Sequence, residues 1–261
     1  MSPRPARIRP FRGPSSCTGL APAAKAQYRV LHVGDLHAPF IHPDAVPFCT
    51  AVHRAYRPDY VVLSGDEVDN HATARWPANP DGLSAGHELA AAGAALSPLY
   101  ALWPTAYVCE SNHGTRPAKK AFLAGLPRGW LKHYREALSA PAGWRWSERW
   151  VLDGVVYEHG EPHSGPLAAL AAARLNLLPT AIGHVHAHAG VLYTRNHDRQ
   201  VWGLNSGCLL DATAYAFAYG RLSKAKPVIG ISTVTLGVAE FYPMELDSSG
   251  RWTGRVPPVP R

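Results

Sequence analysis

The stretch YRVLHVGDLH, residues 28–37, changes within a few positions from an apolar, β-branched run to two polar side chains, Asp35 and His37. The same change recurs four times, in DYVVLSGDEVDN (59–70), TAYVCESNHG (105–114), VVYEHG (155–160) and PTAIGHVHAH (179–188). Near-continuous apolar runs of this length are typical of strands that are covered on both faces. The pattern therefore predicts five buried strands, each ending in residues that can carry chemistry.

Helical stretches separate these runs, at roughly 42–56, 84–101, 115–139 and 165–176. Alternation of strands and helices favours an α/β core, in which sites form beyond the carboxyl ends of the strands. We therefore expect the five polar clusters to converge on one edge of a sheet.

The rest of the chain predicts a hairpin and a second sheet. Residues 144–151 read as one strand, and Asp153–Gly154 suits the tight turn that would follow it. Three tryptophans would share one face of that strand, either as core packing or as a platform for stacked bases: Trp144, Trp146 and Trp150. After residue 188 the sequence reads as antiparallel strands, which we expect to form a second sheet against the first.

The net charge of +7 is concentrated at the N-terminus. Residues 1–29 carry six basic residues and no acid, which leaves 20 basic residues against 19 acids in residues 30–261. We predict a flexible, Pro-rich basic arm over residues 1–27 and a single domain over residues 28–261. Such an arm could neutralise the phosphates of a nucleic acid, or it could serve solubility alone.

Composition excludes several classes of protein. An apolar content of 46% is too high for a disordered chain. No apolar run approaches the ~20 residues of a membrane-spanning helix, and no apolar stretch follows the basic N-terminus as in a secretory signal. The cysteines are far apart, without a CxxC pair, which argues against a zinc ribbon or a disulfide framework: Cys17, Cys49, Cys109 and Cys208. We expect reduced thiols in a cytoplasmic protein that does not bind membranes.

The polar clusters contain seven potential metal ligands: Asp35, His37, Asp66, Asn112, His159, His184 and His186. A single histidine at a strand end is more often structural, but five such clusters are difficult to explain as solvated loops. The set exceeds the needs of one ion and fits two ions that share a carboxylate. Mixed nitrogen and oxygen donors suit Mn²⁺, Fe, Zn²⁺, Ni²⁺ or Co²⁺ rather than Ca²⁺. Two ions about 3.5–4 Å apart form the clamp that enzymes use for displacement at phosphorus.

These clusters resemble, in order, the five motifs of the calcineurin-like metallophosphoesterases. The resemblance covers about residues 30–188 and rests on Asp35-Leu36-His37, Gly65-Asp66-Glu67-Val68-Asp69, Asn112-His113, His159 and Gly183-His184-Val185-His186. It implies an α/β (α+β) sandwich of two packed mixed β-sheets flanked by helices. It also implies two divalent ions, with Mn²⁺ favoured. One ion would be held by Asp35, His37 and His186, the other by Asn112, His159 and His184, and Asp66 would bridge them.

The resemblance also implies a mechanism. A hydroxide that bridges two cations has a strongly lowered pKa and attacks phosphorus in line. His113, adjacent to Asn112, would be the general acid that protonates the departing alkoxide. Asp69 would accept a hydrogen bond from the other ring nitrogen of His113. Each of these two residues could instead be merely structural.

Two positions depart from the family pattern. Gly114 stands where the family usually has an acid after Asn-His, and Asn70 stands where many members have arginine. A side chain that binds the phosphate must then come from elsewhere, and the candidates are Arg116, His71, Arg75 and His163. For Arg116 a surface ion pair is the alternative interpretation.

The motifs give the reaction class but not the substrate. The basic arm and the lack of a large insertion over the site favour a nuclease or nucleotide phosphodiesterase, with DNA or a nucleotide as partner. The near-neutral body favours instead a phosphomonoesterase that acts on small molecules or proteins. A non-catalytic scaffold is the third hypothesis, which a complete ligand set argues against.

Overall fold

The computed structural model describes residues 19–20, 28–74, 79–214, 216–217 and 224–260. Most of the predicted arm (1–27) and the substrate candidate Arg75 lie outside the described residues. Within the described ranges, no helix combines the length and the apolar character that crossing a membrane requires.

The described residues form twelve strands: β1 Gly19–Leu20, β2 Arg29–Val33, β3 Tyr60–Leu63, β4 Thr105–Cys109, β5 Gly143–Ser147, β6 Arg149–Leu152, β7 Val155–Glu158, β8 Thr180–Ile182, β9 Ala189–Arg195, β10 Gln200–Ser206, β11 Gly230–Thr235 and β12 Val238–Pro243. They also form five α-helices: α1 Ala45–Tyr56, α2 Ala85–Leu102, α3 Arg116–Leu123, α4 Tyr134–Ala137 and α5 Ala168–Asn176. Short 3₁₀ turns occur at His71–Thr73 and Arg128–Trp130.

The strands assemble into two mixed six-stranded sheets. The order in the first sheet is β12-β11-β2-β3-β4-β5, in which β2 to β5 run parallel and β11 is antiparallel to both neighbours. The order in the second sheet is β1-β6-β7-β8-β10-β9, with β7, β8 and β10 parallel. Two mixed sheets with flanking helices confirm the predicted α/β sandwich.

The inner strands of the first sheet, β2, β3, β4 and β11, are buried on both faces along most of their length. Leu31 of β2 packs in a cluster with Phe48 of α1 and Leu96 of α2. The preceding residue, Val30, points to the other face and packs in a cluster with Tyr157 of the second sheet. Alternate residues of one strand therefore serve two apolar layers, which explains why the run contains so few polar residues.

The predicted polar clusters do meet, but they come from both sheets. Asp35, Asp66 and Asn112 follow β2, β3 and β4 of the first sheet, whereas His159 and His184 follow β7 and β8 of the second. The expectation that they share one edge of one sheet is wrong. They converge because the carboxyl ends of both parallel sets lie at the same end of the sandwich.

The strands after residue 188 divide between the sheets instead of forming one of their own. β9 and β10 extend the second sheet, and β11 and β12 extend the first sheet beside β2. The predicted separate C-terminal sheet is therefore wrong, because each hairpin pairs with the free edge of an existing parallel set.

Residues 144–151 form two strands in different sheets, β5 and β6. Trp144 lies in the layer beneath the helices, and Trp150 lies in the layer between the sheets. These rings do not share a face, so the base-stacking platform is wrong. The hairpin is confirmed, because β6 and β7 pair antiparallel around Asp153 and Gly154, which both have positive φ.

The predicted helix at 115–139 is broken into α3, a 3₁₀ turn and α4. Gly125 has φ of 72°, a left-handed conformation that ends α3, and Pro127 follows it. Proline lacks the backbone donor that a continuing helix needs. The other three predicted helices are confirmed to within a few residues as α1, α2 and α5.

Candidate metal centre

Three of the predicted ligands lie in left-handed backbone at strand ends. His37, Asp66 and His184 have φ of 52°, 47° and 64°. This conformation is costly for residues other than glycine and persists where the surrounding structure imposes it. Here the backbone amides of Leu36 and His37 both donate to the carbonyl of Asp66, at 3.1 and 2.8 Å, and so tie the ends of β2 and β3 together.

The first group of donors contains Asp35, His37, Asp66 and His186, whose ligand atoms all lie within 4.8 Å of one another. His186 Nε2 lies 2.8 Å from Asp35 Oδ2 and 3.2 Å from His37 Nε2. His37 Nε2 lies 3.6 Å from Asp66 Oδ2. Apart from His186, which is half-buried, these residues are buried.

The second group contains Asp66, His159 and His184. His159 Nε2 lies 3.5 Å from Asp66 Oδ2, 3.2 Å from His184 Nδ1 and 2.5 Å from Asn112 Oδ1. Asp66 therefore belongs to both groups, and one oxygen of its carboxylate faces a histidine of each. The structure brings these seven residues close together, and their binding of metal stays a prediction.

Neighbouring acceptors fix the protons of two of these histidines. His37 Nδ1 lies 2.7 Å from Asp69 Oδ1, and His159 Nδ1 lies 2.8 Å from the backbone carbonyl of Ser64. A carboxylate and a carbonyl only accept, so both Nδ1 atoms donate, and each neutral ring presents the lone pair of Nε2 to the cluster. Histidines that bind metals usually have this arrangement.

The lone pairs of these Nε2 atoms point at oxygen atoms that are themselves hydrogen-bond acceptors. A cation could satisfy both acceptors of each such pair. His159 Nε2 faces Asn112 Oδ1, and His37 Nε2 faces Asp66 Oδ2. Burial is the main cause that lowers the pKa of His37, which disfavours a proton in the gap. Asp35 Oδ1 is buried without a hydrogen-bond partner. Buried acceptors without donors are costly, so this donor set fits divalent cations.

The carboxylates of the cluster stay ionised despite their burial. Burial alone would raise the pKa of Asp66, but the imidazoles of His159, His113 and His37 outweigh it and hold that pKa below its usual range. The pKa of Asp35 is also lowered, since the effects of His186 and other imidazoles exceed that of burial. The cluster therefore offers negative oxygens to a cation.

A third group, formed by His37, Asp69 and His113, has a different character although its atoms are equally close. His113 Nδ1 lies 2.7 Å from the carbonyl of Asp69 and 3.1 Å from Asp69 Oδ1. Both histidines thus point Nδ1–H donors at Asp69, so neither Nδ1 offers a lone pair to a metal beside Asp69. Asp69 orients His37 and His113 together, of which sequence reasoning predicted only the contact with His113.

His113 lies at the edge of the cluster in a position to exchange a proton. Its Nε2 lies 3.9 Å from Asp66 Oδ2 and 2.8 Å from Arg116 Nη2. Burial would lower the pKa of His113, but the charge of Asp66 and the hydrogen bond to Asp69 raise it above the ordinary value. A raised pKa favours the protonated ring that a general acid needs, whereas in this structure Nε2 accepts from the guanidinium of Arg116, which can only donate.

The residues predicted to contact the substrate lie in different surroundings. Within the described part of the chain, Arg116 makes no ion pair with an acid: its Nη1 donates to the carbonyl of Asp69 at 2.8 Å, and its Nη2 contacts His113. His71 Nε2 accepts from the backbone amide of Asn79 at 3.1 Å, and His71 Nδ1 lies 3.9 Å from Asp69 Oδ2. His163 lies in the turn after His159, with its backbone amide bonded to Gly160 at 2.9 Å.

Several supporting residues escaped sequence reasoning. Ser111 Oγ accepts from the backbone amide of Asp66 at 2.9 Å, and Asn70 Nδ2 donates to the carbonyl of His113 at 2.9 Å. A Cβ at Gly183 would lie 2.2 Å from Asp35 Oδ1, so this glycine makes room for the carboxylate. The only sequence signal was the departure of position 70 from the family motif.

Acidification should weaken metal binding, because histidine binds a metal through its neutral ring. Burial is the main cause that lowers the pKa of both His37 and His184. Both rings therefore stay neutral below the ordinary histidine value of about 6.5. Calorimetric titration of metal-free protein with Mn²⁺ should show affinity decreasing only below about pH 6.5. A decrease that is already complete at neutral pH would contradict this expectation.

Comparison with known proteins gives distant structural neighbours. No protein-family profile matches the sequence, and neither does any curated protein. Vps29 from Chaetomium thermophilum has a TM-score of 0.44 at 13% identity, over 87% of this chain and 94% of that one. Vacuolar Protein Sorting 29 from Cryptosporidium parvum has a TM-score of 0.40 at 14% identity, over 83% of this chain and 96% of that one. At TM-scores below 0.5, these likenesses define neither a family nor a function for this chain.

Proposed function

We propose that the protein is a phosphoesterase that depends on two divalent metal ions. The observation that carries this proposal is the position of Asp66, whose carboxylate belongs to both groups of nitrogen and oxygen donors. A carboxylate shared by two such groups is the arrangement that places two ions side by side for displacement at phosphorus.

The donors divide into two ligand sets. Asp35, His37 and His186 would hold one ion, and Asn112, His159 and His184 would hold the other. The mixture of imidazole, carboxylate and amide donors suits Mn²⁺ best, and Fe, Zn²⁺, Ni²⁺ or Co²⁺ would also fit. Bound ions would supply a nucleophilic water of lowered pKa and neutralise charge on the phosphoryl oxygens.

Residues of the chain would supply the proton for the departing oxygen and orient the ring that donates it. His113 would donate a proton from Nε2 to the departing oxygen. Asp69 holds Nδ1 of the same ring at 3.1 Å, so that Nε2 faces the cluster. In this structure Arg116 Nη2 lies against His113 Nε2, and a phosphate oxygen would compete for that guanidinium. We therefore assign Arg116 to substrate binding, with His71, Arg75 and His163 as further candidates.

A phosphodiester of nucleic acid or of a nucleotide is the proposed substrate. The support is the unbalanced basic charge of residues 1–29, which could bind phosphates and release their counterions. A phosphomonoester is the second candidate, favoured by the near-neutral charge of residues 30–261.

A metal-by-substrate screen tests the proposal. Metal-free protein should be inactive after EDTA treatment, and Mn²⁺ should restore turnover of bis(nitrophenyl) phosphate and of a short DNA oligonucleotide. Faster turnover of nitrophenyl phosphate than of either diester would favour the phosphomonoesterase. Absence of turnover with every metal and every substrate would favour the non-catalytic scaffold and contradict the proposal.

A further inference from the structure

The loop that carries Asp66 continues into a buried carboxyl group that the proposed chemistry does not use. Glu67 is 1% exposed, and its Oε1 accepts from Trp146 Nε1 at 2.8 Å. Its second oxygen, Oε2, is buried without a hydrogen-bond partner, and so is the hydroxyl of Tyr134. Both groups contact the same side chain, Trp146, whose Nε1 donates to Glu67 and whose ring packs against the ring of Tyr134.

Tyr134 in turn lies against the turn that carries His113. A Cβ added to Gly114 would lie 2.9 Å from the Tyr134 hydroxyl and 3.3 Å from its Cζ. The ring therefore occupies the space that any side chain at position 114 would need. The ring also packs edge-on against Trp146, with a centroid distance of 5.5 Å, and Trp146 is the partner of Glu67.

Ser111 makes a further contact between these segments. Ser111 Oγ accepts from the backbone amide of Asp66 at 2.9 Å and from that of Gly114 at 3.2 Å. The Asp66 loop and the turn at 111–114 are thus linked directly through Ser111. The Asp66 loop and this turn are linked a second time, through Glu67 and Tyr134. A shift of either side chain would therefore move both segments.

We propose that Glu67 and Tyr134 are positioning residues that act as a pair to hold the Asp66 loop and the turn at 111–114 in the geometry that binds the two ions. Neither side chain touches substrate or metal. The pair acts through Asp66, which directly precedes Glu67, and through Asn112 and His113, which precede the glycine that Tyr134 covers. This inference rests on the proposed function, because it concerns the same metal centre.

The test compares Glu67→Gln, Tyr134→Phe and the double variant with Tyr100→Phe. Tyr100 is a matched control, since it also packs edge-on against a tryptophan of the same core, Trp144, at 4.8 Å, and its hydroxyl donates to the carbonyl of Leu138 at 3.2 Å. The primary measurement is the affinity of metal-free protein for Mn²⁺ by calorimetry, which does not depend on activity. Thermal unfolding of each metal-free variant reports the loss of packing separately.

Each single variant should bind Mn²⁺ about 10–100-fold more weakly, the usual effect of changing a residue that supports a metal ligand. The double variant should be no weaker than the weaker single variant, because residues that act as a unit are not additive. Tyr100→Phe should keep wild-type affinity. If Glu67→Gln does not fold, Gly114→Ala presses on Tyr134 from the other side and should weaken Mn²⁺ binding likewise.

The inference is overturned if Tyr134→Phe and Glu67→Gln both bind Mn²⁺ with wild-type affinity and lose stability as Tyr100→Phe does. The two residues would then contribute to core packing alone. Failure of the wild-type protein to bind Mn²⁺ would overturn the metal centre itself. The two failures are distinguishable, because only the second appears in the unmodified protein.

Discussion

The Asp66→Asn variant is expected to lose tight binding of both ions and, with it, all metal-dependent turnover. Asp66 Oδ2 lies 3.6 Å from His37 Nε2 and 3.5 Å from His159 Nε2, so it faces a donor of each group. Asparagine has nearly the same shape but carries no charge. The loss should exceed the roughly 10–100-fold effect of changing a residue that only supports a ligand.

Calorimetric titration with Mn²⁺ and the rate of diester hydrolysis measure this effect. Asp198→Asn is a suitable control, because Asp198 is exposed in the turn between β9 and β10. That variant should behave as the wild type in both measurements. An Asp66→Asn protein that binds two ions with undiminished affinity would show that Asp66 does not bridge them.

The His113→Gln variant has the second-largest expected effect, on turnover and not on metal content. Removal of a general acid costs about 10²–10⁴-fold in rate. The loss should appear with substrates whose leaving alkoxide needs a proton, such as a DNA oligonucleotide. It should nearly vanish with nitrophenolate, which leaves without one. The raised pKa of His113, due to Asp66 and Asp69 acting against burial, supports this role.

Rates for the two kinds of leaving group, with metal content measured on the same preparations, decide the role of His113. His197→Gln, at an exposed turn, serves as the control. Equal losses on both kinds of substrate would remove His113 from the role of proton donor. A loss of bound metal would make it a ligand instead.

The convergence of the candidate ligands could be predicted from sequence because its signals are local. Each apolar run ends at a fixed point, and parallel strands place their ends together, so residues such as Asp35 and Asp66 had to lie near one another. The assignment of strands to two sheets could not be predicted. Strand pairing depends on which sheet edges are free once the chain has collapsed. Residues 144–151 show this, because this one alternating stretch supplies a strand to each sheet.

Most of the contacts that support the site could not be predicted from the sequence. The Asp69 carboxylate was expected to hold His113, but its shorter contact is with His37, at 2.7 Å against 3.1 Å. Arg116 could have been a surface residue, and only the fold shows that it lies against His113. Such contacts join segments that are far apart in the chain, and no periodicity or motif records them.

A crystal structure of the protein with Mn²⁺, with anomalous difference maps recorded at the manganese edge, gives the sharpest test of the dinuclear centre. Two anomalous peaks about 3.5–4 Å apart, with the Asp66 carboxylate between them, are the predicted result. A single peak, or none at saturating Mn²⁺, would contradict the two-ion site.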